Sequence, residues 1–356
     1  MSGVWGKNVK FSIFGESHGK AVGITIDGLK PGIELDLSKI NLEMERRAPG
    51  RNELSTPRNE EDNFQILSGF FNGRTTGTPL CAVIFNSDQH SRDYEKTKNL
   101  MRPSHGDLTG HFKYKGFNDY RGGGHFSARL TTPIVFAGAV CSQILESKGI
   151  IIGSHIKSIY NMKDKSFGLD INEDTLKELK KSPFPVLDSL TGNEMKKAIL
   201  KAKEEMDSVG GIVECAAINI PPGVGEPFFD SLESSLSHLL FSIPGVKGVE
   251  FGAGFEISGM VGSEANDGYY MEGEKVKAFS NNNGGIVGGI TNGMPLLFRV
   301  AFKPTPSIGK VQKTIDIETG KDALLEIKGR HDPCIVTRAV PAVEAVTAMV
   351  LLDNIL

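Results

Sequence analysis

Segments rich in β-branched and other apolar residues predict the strands of this chain. Ala21–Asp27 and Leu80–Phe85 are of this kind and end in turn residues, and residues 212–220, 246–255 and Leu296–Phe302 are similar. These strands and the helices described next follow one another without a regular β-α-β rhythm. The sequence therefore favours the α+β class, with largely antiparallel sheets.

Apolar residues that recur every three or four positions predict four helices. The clearest covers residues 190–208, where Thr191 and Glu194 have the spacing of a capping box and Gly210 and Gly211 supply a stop. The other three are a helix that opens at Asp230, one that begins near Pro341 and reaches the C-terminus, and a short surface helix over residues 170–181.

Three long polar segments punctuated by glycine interrupt these elements, over residues 46–58, 88–124 and 262–283. Loops of this length in a compact domain are usually either functional or disordered, and the first two carry histidines and arginines. The chain has no internal repeat, low-complexity tract or evident interdomain linker. Residues 1–356 are therefore predicted to form a single compact domain.

Composition and charge narrow the class of protein. Hydrophobic residues make up 39% of the chain and charged residues 23%, which is ordinary for a globular protein. The formal net charge of -3 argues against general nucleic-acid or membrane-surface binding. An anionic ligand would therefore need arginines that are gathered in one place.

The cysteines and the N-terminus indicate the cellular compartment. The four cysteines are scattered without a CxxC pair, and the histidines lack metal-ligand spacing, so neither a disulfide framework nor a metal site is predicted. The chain has no signal-like apolar segment at its start and no run of about 18 apolar residues. We expect a cytoplasmic protein that does not cross a membrane.

Residues 14–19, with the sequence FGESHG, place an imidazole in a turn flanked by glycines. His18 could act there as a general acid, because imidazole carries and releases a proton near pH 7. The alternative is a turn with a solvent-facing histidine. Spacing does not decide between them, since a GxSxG-type elbow has serine at its centre and here His18 follows Ser17.

Residues 102–107, with the sequence RPSHGD, place His105 between a guanidinium and a carboxylate. The carboxylate of Asp107 would favour a protonated imidazole, and Arg102 would attract an anionic substrate. The alternative is a polar loop whose charges pair with one another. A second histidine on a turn shifts the balance towards catalysis.

Three further segments suit an anionic ligand. Residues 119–129 contain three consecutive glycines whose backbone N–H groups can face a phosphate, although a glycine-rich hairpin is the alternative. Arg46, Arg47 and Arg51 form a run that can bind carboxylate or phosphate, or else a solvated basic turn. Residues 303–307 and 328–338 combine basic residues, prolines and Asp332, and suit a phosphate-bearing cofactor or form ordinary surface turns.

These segments, in this order, closely resemble chorismate synthase over nearly the whole chain, from Gly6 to Leu352. The motifs are FGESHG, RPSHGD, DYRGGG with SAR, NNNGGIVGG, and GRHDPC with RAVP, and together they are highly specific. The resemblance implies a lyase of the shikimate pathway of aromatic amino acid biosynthesis. In this reaction, 5-enolpyruvylshikimate 3-phosphate loses phosphate and a ring hydrogen by anti-1,4-elimination to give chorismate.

The resemblance also implies the cofactor and the assembly. Reduced FMN is required although the overall reaction is redox-neutral, and NADPH would serve only as its reductant. The fold would be a β-α-β sandwich, and the protein a homotetramer that binds neither nucleic acid nor membrane.

Particular residues receive roles from the resemblance, position by position. His18 would protonate the leaving phosphate or the flavin system, His105 would be the second proton-handling histidine, and Asp332 would assist deprotonation through the flavin N5. Ser17 and Ser127 would be supporting polar groups. The substrate would be bound by Arg47, Arg51, Arg129 and Arg338. FMN would be bound by Gly124, His125, Phe126, Ser127, Pro244, Gly245, Gly288, Lys303, Pro304, Thr305, Pro306, Ser307 and Arg330.

Three departures from the family pattern bear on these roles. His125 and Phe126 stand where the family commonly has Arg-Ser, Pro244 and Gly245 replace an Asn-Ala-like pair, and Ala48 replaces a common arginine. Two other functions stay open. A flavin reductase that uses NAD(P)H is disfavoured because the chain has no GxGxxG motif, and a non-enzymatic anion- or RNA-binding module is disfavoured by the net charge of -3.

Overall fold

Two five-stranded antiparallel sheets enclose a layer of helices in the computed structural model, which describes residues 3–50, 54, 62–87, 98–327 and 332–356. In spatial order, the first sheet consists of β1 (Val4–Trp5), β2 (Lys10–Gly15), β3 (Ala21–Asp27), β7 (Leu80–Phe85) and β4 (Phe64–Ser68). The second consists of β11 (Val246–Phe251), β16 (Leu296–Phe302), β10 (Gly211–Ile218), β8 (Ile151–Ile159) and β9 (Met162–Lys163).

Four small hairpins, eight α-helices and several short 3-10 helices complete the described part of the chain. The hairpins are β5 (Phe70–Phe71) with β6 (Arg74–Thr75), β12 (Tyr269–Glu272) with β13 (Lys275–Ala278), β14 (Ile286–Val287) with β15 (Ile290–Thr291), and β17 (Gln312–Asp316) with β18 (Lys321–Leu325). The α-helices are α1 (Leu37–Arg47), α2 (Asp107–Tyr114), α3 (Thr131–Glu146), α4 (Glu173–Lys181), α5 (Ser189–Glu204), α6 (Leu232–Leu240), α7 (Gly262–Ala265) and α8 (Val336–Ile355).

The helical layer is built on α3 and α8, which pack against each other between the sheets. α3 contacts β3 and β7 of the first sheet, and α8 contacts β8 and β10 of the second. Gly138 on α3 permits the close approach, because a Cβ at this position would lie 2.2 Å from the Cβ of Ala345 on α8. The hydrophobic core is therefore shared by both sheets and both helices.

Almost every side chain of α3 is buried, so the helix has no polar stripe. By length and composition, Ala128–Glu146 could cross a membrane, but most of it is buried inside the protein, where its apolar side chains fill the core. The uniform apolarity explains why helical periodicity does not reveal this helix in the sequence.

The α+β class and the antiparallel sheets predicted from the sequence are confirmed, and every strand pair in the described residues is antiparallel. The predicted bounds of β3, β7 and β16 are those of the structure. The strand predicted over residues 246–255 ends earlier, at Phe251, because Gly252 and Gly254 turn the chain with φ values of +54° and +59°.

The capping box predicted for one helix and the start predicted for another are wrong. The helix predicted from residue 190 is capped by Asp188, which accepts hydrogen bonds from the Thr191 N–H and hydroxyl, so the Thr191 capping box does not form. The C-terminal helix begins at Val336 rather than near Pro341. Burial of Val336 and Val340 stabilises the additional turn although proline removes one helical hydrogen bond.

Candidate active site

The predicted His18 turn follows β2 directly and is buried. Ser17 and His18 expose only 1% and 7% of their surface, and the Ser17 hydroxyl lies 3.1 Å from Nδ1 of His18. The Gly123 N–H donates to the same hydroxyl at 3.3 Å, and the Ser17 N–H donates to the Gly124 carbonyl at 3.0 Å. The imidazole is therefore held in one orientation. The alternative that the sequence allowed, a turn with a solvent-facing histidine, does not describe His18.

Gly122 makes room for this imidazole. Its φ is +60°, in the left-handed region that favours glycine. A Cβ at this position would lie 2.3 Å from Cε1 and 2.4 Å from Nδ1 of His18, and 2.9 Å from the Ser17 hydroxyl. The glycine-rich segment predicted to bind an anion thus also forms one wall of the His18 site.

His105 pairs with a carboxylate, as its position in the sequence predicted. Its Nδ1 lies 2.8 Å from Oδ1 of Asp107, and Arg102 donates from Nε to Oδ2 of the same carboxylate at 2.6 Å. Burial alone would raise the pKa of Asp107, but the hydrogen bonds from His105 and Arg102 outweigh it and hold the pKa well below its ordinary value. An anionic Asp107 therefore orients the His105 ring at neutral pH.

One guanidinium connects the two histidine turns. Nη2 of Arg102 donates to the carbonyl oxygen of Gly122 as well as to Asp107, and Gly122 packs against the ring of His18. The contacts run without a break from His18 through Gly122, Arg102 and Asp107 to His105. The two histidine turns are therefore connected through one guanidinium.

His125 and Phe126, which depart from the family pattern, both have defined neighbours. Nδ1 of His125 lies 2.8 Å from the carbonyl oxygen of Gly15. The Phe126 ring packs against α2 at two glycines that leave space for it. A Cβ on Gly106 would lie 3.0 Å from the ring, and a Cβ on Gly110 would lie 2.7 Å from it. The aromatic ring thereby packs the glycine-rich loop onto the first turns of α2.

Arg47 and Arg129 meet on one buried carboxylate, Asp62. Arg47 donates from Nε to Oδ2 of Asp62 at 2.9 Å, and Arg129 donates from Nη1 to Oδ1. Burial lowers the pKa of Arg47 to about 10 despite the attraction of Asp62, so Arg47 stays protonated at neutral pH. Ser127 fixes the backbone of Arg129, because its hydroxyl accepts the Arg129 N–H at 3.1 Å.

Arg338 joins this group from the first turn of α8. Its Nε donates to the Arg47 carbonyl at 3.1 Å, and its Nη1 donates to Oδ2 of Asp332 at 2.8 Å. Oδ1 of Asp332 is buried and has no hydrogen-bond partner within the part of the chain that the structure describes. Burial raises the pKa of Asp332, as is common for groups that handle protons. We call Arg47, Arg129, Arg338, Asp62 and Asp332 the arginine cluster.

Two residues that connect these parts, Asp62 and Asn86, were not predicted from the sequence. Asn86 donates to the carbonyl oxygens on either side of Ser17 and His18 and accepts a hydrogen bond from Arg129. Asp62 precedes a strand and Asn86 follows one. A single polar residue at a strand end is too common to indicate a site, and the partners of both residues are distant in the sequence.

The predicted cofactor segment after β16, residues 303–307, contacts the loop of the second histidine. Lys303 donates from Nζ to the Ser104 carbonyl, and its backbone N–H donates to the Gly245 carbonyl at 2.9 Å. The Thr305 hydroxyl oxygen is buried with no partner among the described residues. The structure thus brings residues 303–307 and the turn at Gly245 to the His105 side of the site.

Gly288, the remaining predicted FMN contact, lies at the turn between β14 and β15. The glycine that follows it hydrogen-bonds to the start of α6, whereas Pro244 and Gly245 follow the other end of that helix. The hydrogen bonds of the described residues do not connect Gly288 to the histidine turns, so its role in binding FMN stays a prediction. Arg51 and Arg330 lie outside the described residues.

Comparison with known proteins identifies the family. The chorismate synthase family model matches residues 9–356. A chorismate synthase of Pyrococcus abyssi is 48% identical over 354 residues, which cover 99% of this chain and 97% of the relative. A chorismate synthase of Dehalococcoides mccartyi is 45% identical over 353 residues, which cover 99% of this chain and 96% of the relative.

A solved structure agrees with the sequence comparison. The crystal structure of a chorismate synthase superimposes with a TM-score of 0.77 at 30% identity, over 98% of this chain and 92% of that chain. The agreement extends over both sheets and the helical layer between them, because the aligned part includes nearly all residues. The chain belongs to the chorismate synthase family.

Proposed function

We propose that the two histidine turns and the arginine cluster together form the active site of this lyase. The family carries out a step of the shikimate pathway, in which phosphate is eliminated and chorismate is formed. The observation that carries the assignment to these residues is the unbroken run of contacts from His18 through Gly122 to His105. Two histidines oriented by separate partners are what an elimination with distinct proton transfers requires.

The arginine cluster would bind the anionic groups of the substrate. Three guanidiniums share two carboxylates, Asp62 and Asp332, among the described residues, so the cluster has an excess of positive charge. Guanidiniums bind carboxylates and phosphates through paired hydrogen bonds. Because the cluster is largely buried, its attraction for these groups is screened less by water than that of a surface arginine would be.

The proton transfers would be divided between His18, His105 and Asp332. We assign protonation of the leaving phosphate to the His18 ring, which the Ser17 hydroxyl orients through Nδ1. Asp107 orients His105 in the same way, through Nδ1. The raised pKa of Asp332 favours a carboxyl group that takes up a proton, and we assign this role to its Oδ1 atom.

The residues present fit a bound flavin. The hydroxyl of Thr305 and Oδ1 of Asp332 are buried polar atoms without partners in the described residues, and both belong to segments assigned to the cofactor. Gly245 and Lys303 would add backbone and ammonium contacts. When bound, reduced FMN supplies an electron to a reaction that is redox-neutral overall. The protein would orient the substrate against it and exclude water.

The same proposal extends to the setting of the enzyme. We expect a single-domain subunit in a cytoplasmic homotetramer that acts on a small-molecule substrate, with NADPH serving at most to reduce the flavin. The supporting facts are the shared core of both sheets and the full-length similarity to the family.

An anaerobic assay tests the function and the reductant together. The protein is mixed with 5-enolpyruvylshikimate 3-phosphate and chemically reduced FMN, and chorismate and phosphate are measured. Equal amounts of both products are expected, and phosphate release without chorismate would contradict the proposal. When NADPH and oxidised FMN replace the chemical reductant, loss of product shows that the enzyme does not reduce its own flavin.

A further inference from the structure

The side-chain amide of Asn86 connects the His18 turn with the arginine cluster. Asn86 follows the last residue of β7, and its Nδ2 donates to the carbonyl oxygens of Glu16 at 3.0 Å and Gly19 at 2.9 Å. Its Oδ1 accepts from Nε of Arg129 at 2.8 Å. One side chain therefore joins two parts of the site that come from different elements of the fold.

The two carbonyl groups that Asn86 binds lie on either side of Ser17 and His18. The Gly19 N–H donates to the Glu16 carbonyl at 3.0 Å, so these carbonyls mark the ends of a tight turn. A donor that holds both ends fixes the position of the turn as a rigid unit. The backbone of Asn86 adds to this, because its N–H donates to the Lys20 carbonyl at 3.1 Å.

The chemistry of the site demands an amide at this position. The side chain must donate two hydrogen bonds to carbonyl oxygens and accept one from a guanidinium, and only the amides of asparagine and glutamine offer two donor hydrogens together with an acceptor oxygen. Aspartate has nearly the same shape as asparagine and keeps the bond from Arg129. Its carboxylate has no hydrogen to donate to the carbonyls of Glu16 and Gly19. The substitution therefore removes the bonds to the His18 turn and keeps the bond from Arg129.

We propose that Asn86 is a positioning residue that sets the distance between the proton donor, His18, and the substrate-binding Arg129. This inference rests on the proposed function, because the distance matters only if His18 transfers a proton to a substrate held by Arg129. A displacement of about 1 Å at a reacting group costs on the order of 100-fold in rate. Asn86 itself acts only through these two residues.

Substitutions at Asn86 test the proposal through the pH dependence of turnover. We expect Asn86→Asp to lower kcat by roughly 10- to 100-fold while KM for the substrate changes little, because the Arg129 contact is kept. The alkaline limb of the kcat profile should also move to higher pH, since a carboxylate beside the turn favours a protonated His18. Asn86→Ala should lower kcat and also raise KM, because Arg129 loses the acceptor of its Nε hydrogen bond while it keeps Asp62.

Two controls distinguish the possible failures. Asn219→Asp changes an amide that bonds only the Gly149 carbonyl in the described residues, away from the site, and should leave kcat and its pH profile unchanged. If His18→Ala keeps the wild-type rate, the proposed function itself fails. If His18→Ala is inactive but Asn86→Asp keeps the wild-type kcat and pH profile, or loses kcat equally at every pH, the positioning role of Asn86 alone is overturned.

Discussion

Gly122→Ala is the smallest change that should displace the His18 ring. The substituted methyl group would occupy a position 2.3 Å from Cε1 of the imidazole, where carbon atoms in ordinary contact are about 3.5 Å or more apart. The ring or the glycine-rich backbone must therefore move by roughly 1 Å. Because the Gly122 carbonyl also accepts from Arg102, movement of the backbone would disturb the Asp107–His105 pair as well.

The magnitude follows from two separate costs. An alanine in the left-handed region costs about 1–2 kcal/mol in stability, and the overlap with the imidazole adds about 1–3 kcal/mol. Displacement of the catalytic ring by about 1 Å costs on the order of 100-fold in kcat. The loss of activity should therefore be much larger than the loss of stability would explain, since most of the protein stays folded.

Gly273→Ala is the matched control. Gly273 lies in the turn between β12 and β13 with φ +63°, close to the value at Gly122, but no atom lies within 4 Å of a Cβ placed there. Both variants are measured by thermal unfolding and by chorismate formation with chemically reduced FMN. If Gly122→Ala is as active as Gly273→Ala, the close contact with His18 has no catalytic consequence and the reasoning is refuted.

Three further predictions concern buried charge and thiols. Asp62→Asn should lower the free energy of unfolding by about 3–5 kcal/mol, because two buried guanidiniums lose their shared carboxylate. Glu34→Gln removes one partner of an exposed ion pair and should lower the free energy of unfolding by less than about 1 kcal/mol. Equal losses for the two variants in urea titrations would contradict this prediction. Because the pKa of Asp107 is lowered on folding, its carboxylate stabilises the folded state at pH values above 3.8, the ordinary aspartate pKa. This stabilisation is lost as the pH falls below 3.8. The free energy of unfolding of Asp107→Asn should therefore depend less on acid than that of the wild type. Burial raises the pKa of Cys215 to about 12, so iodoacetamide should label Cys215 only after the protein unfolds. The half-buried Cys81 should be labelled in the native protein. Peptide mass spectrometry of the labelled protein checks both expectations.

Local sequence signals predicted the parts of the site whose partners are close in the chain. His105 and Asp107 are two residues apart, so their pairing followed from the motif alone. The bounds of β3, β7 and β16 followed from short apolar segments between turn residues. In these cases the residues that determine the structure lie within one turn or one strand of each other.

The parts that the sequence did not predict depend on distant contacts. Asp62 acts through Arg47 and Arg129, which reach it from α1 and from the segment before α3. Asn86 has no neighbour in the chain that indicates its bonds to Glu16 and Gly19. The start of α8 was misplaced for a similar reason, because burial against other elements decided it rather than the local effect of proline.

The central claim is that His18 and His105 carry the proton transfers of the elimination. Single-turnover formation of chorismate, with saturating substrate and reduced FMN under anaerobic conditions, measures this step without the contribution of product release. We expect His18→Ala and His105→Ala each to lower the single-turnover rate by at least about 100-fold. His238→Ala, which alters an exposed histidine on α6, should react at the wild-type rate. A wild-type rate in either His18→Ala or His105→Ala would contradict the account.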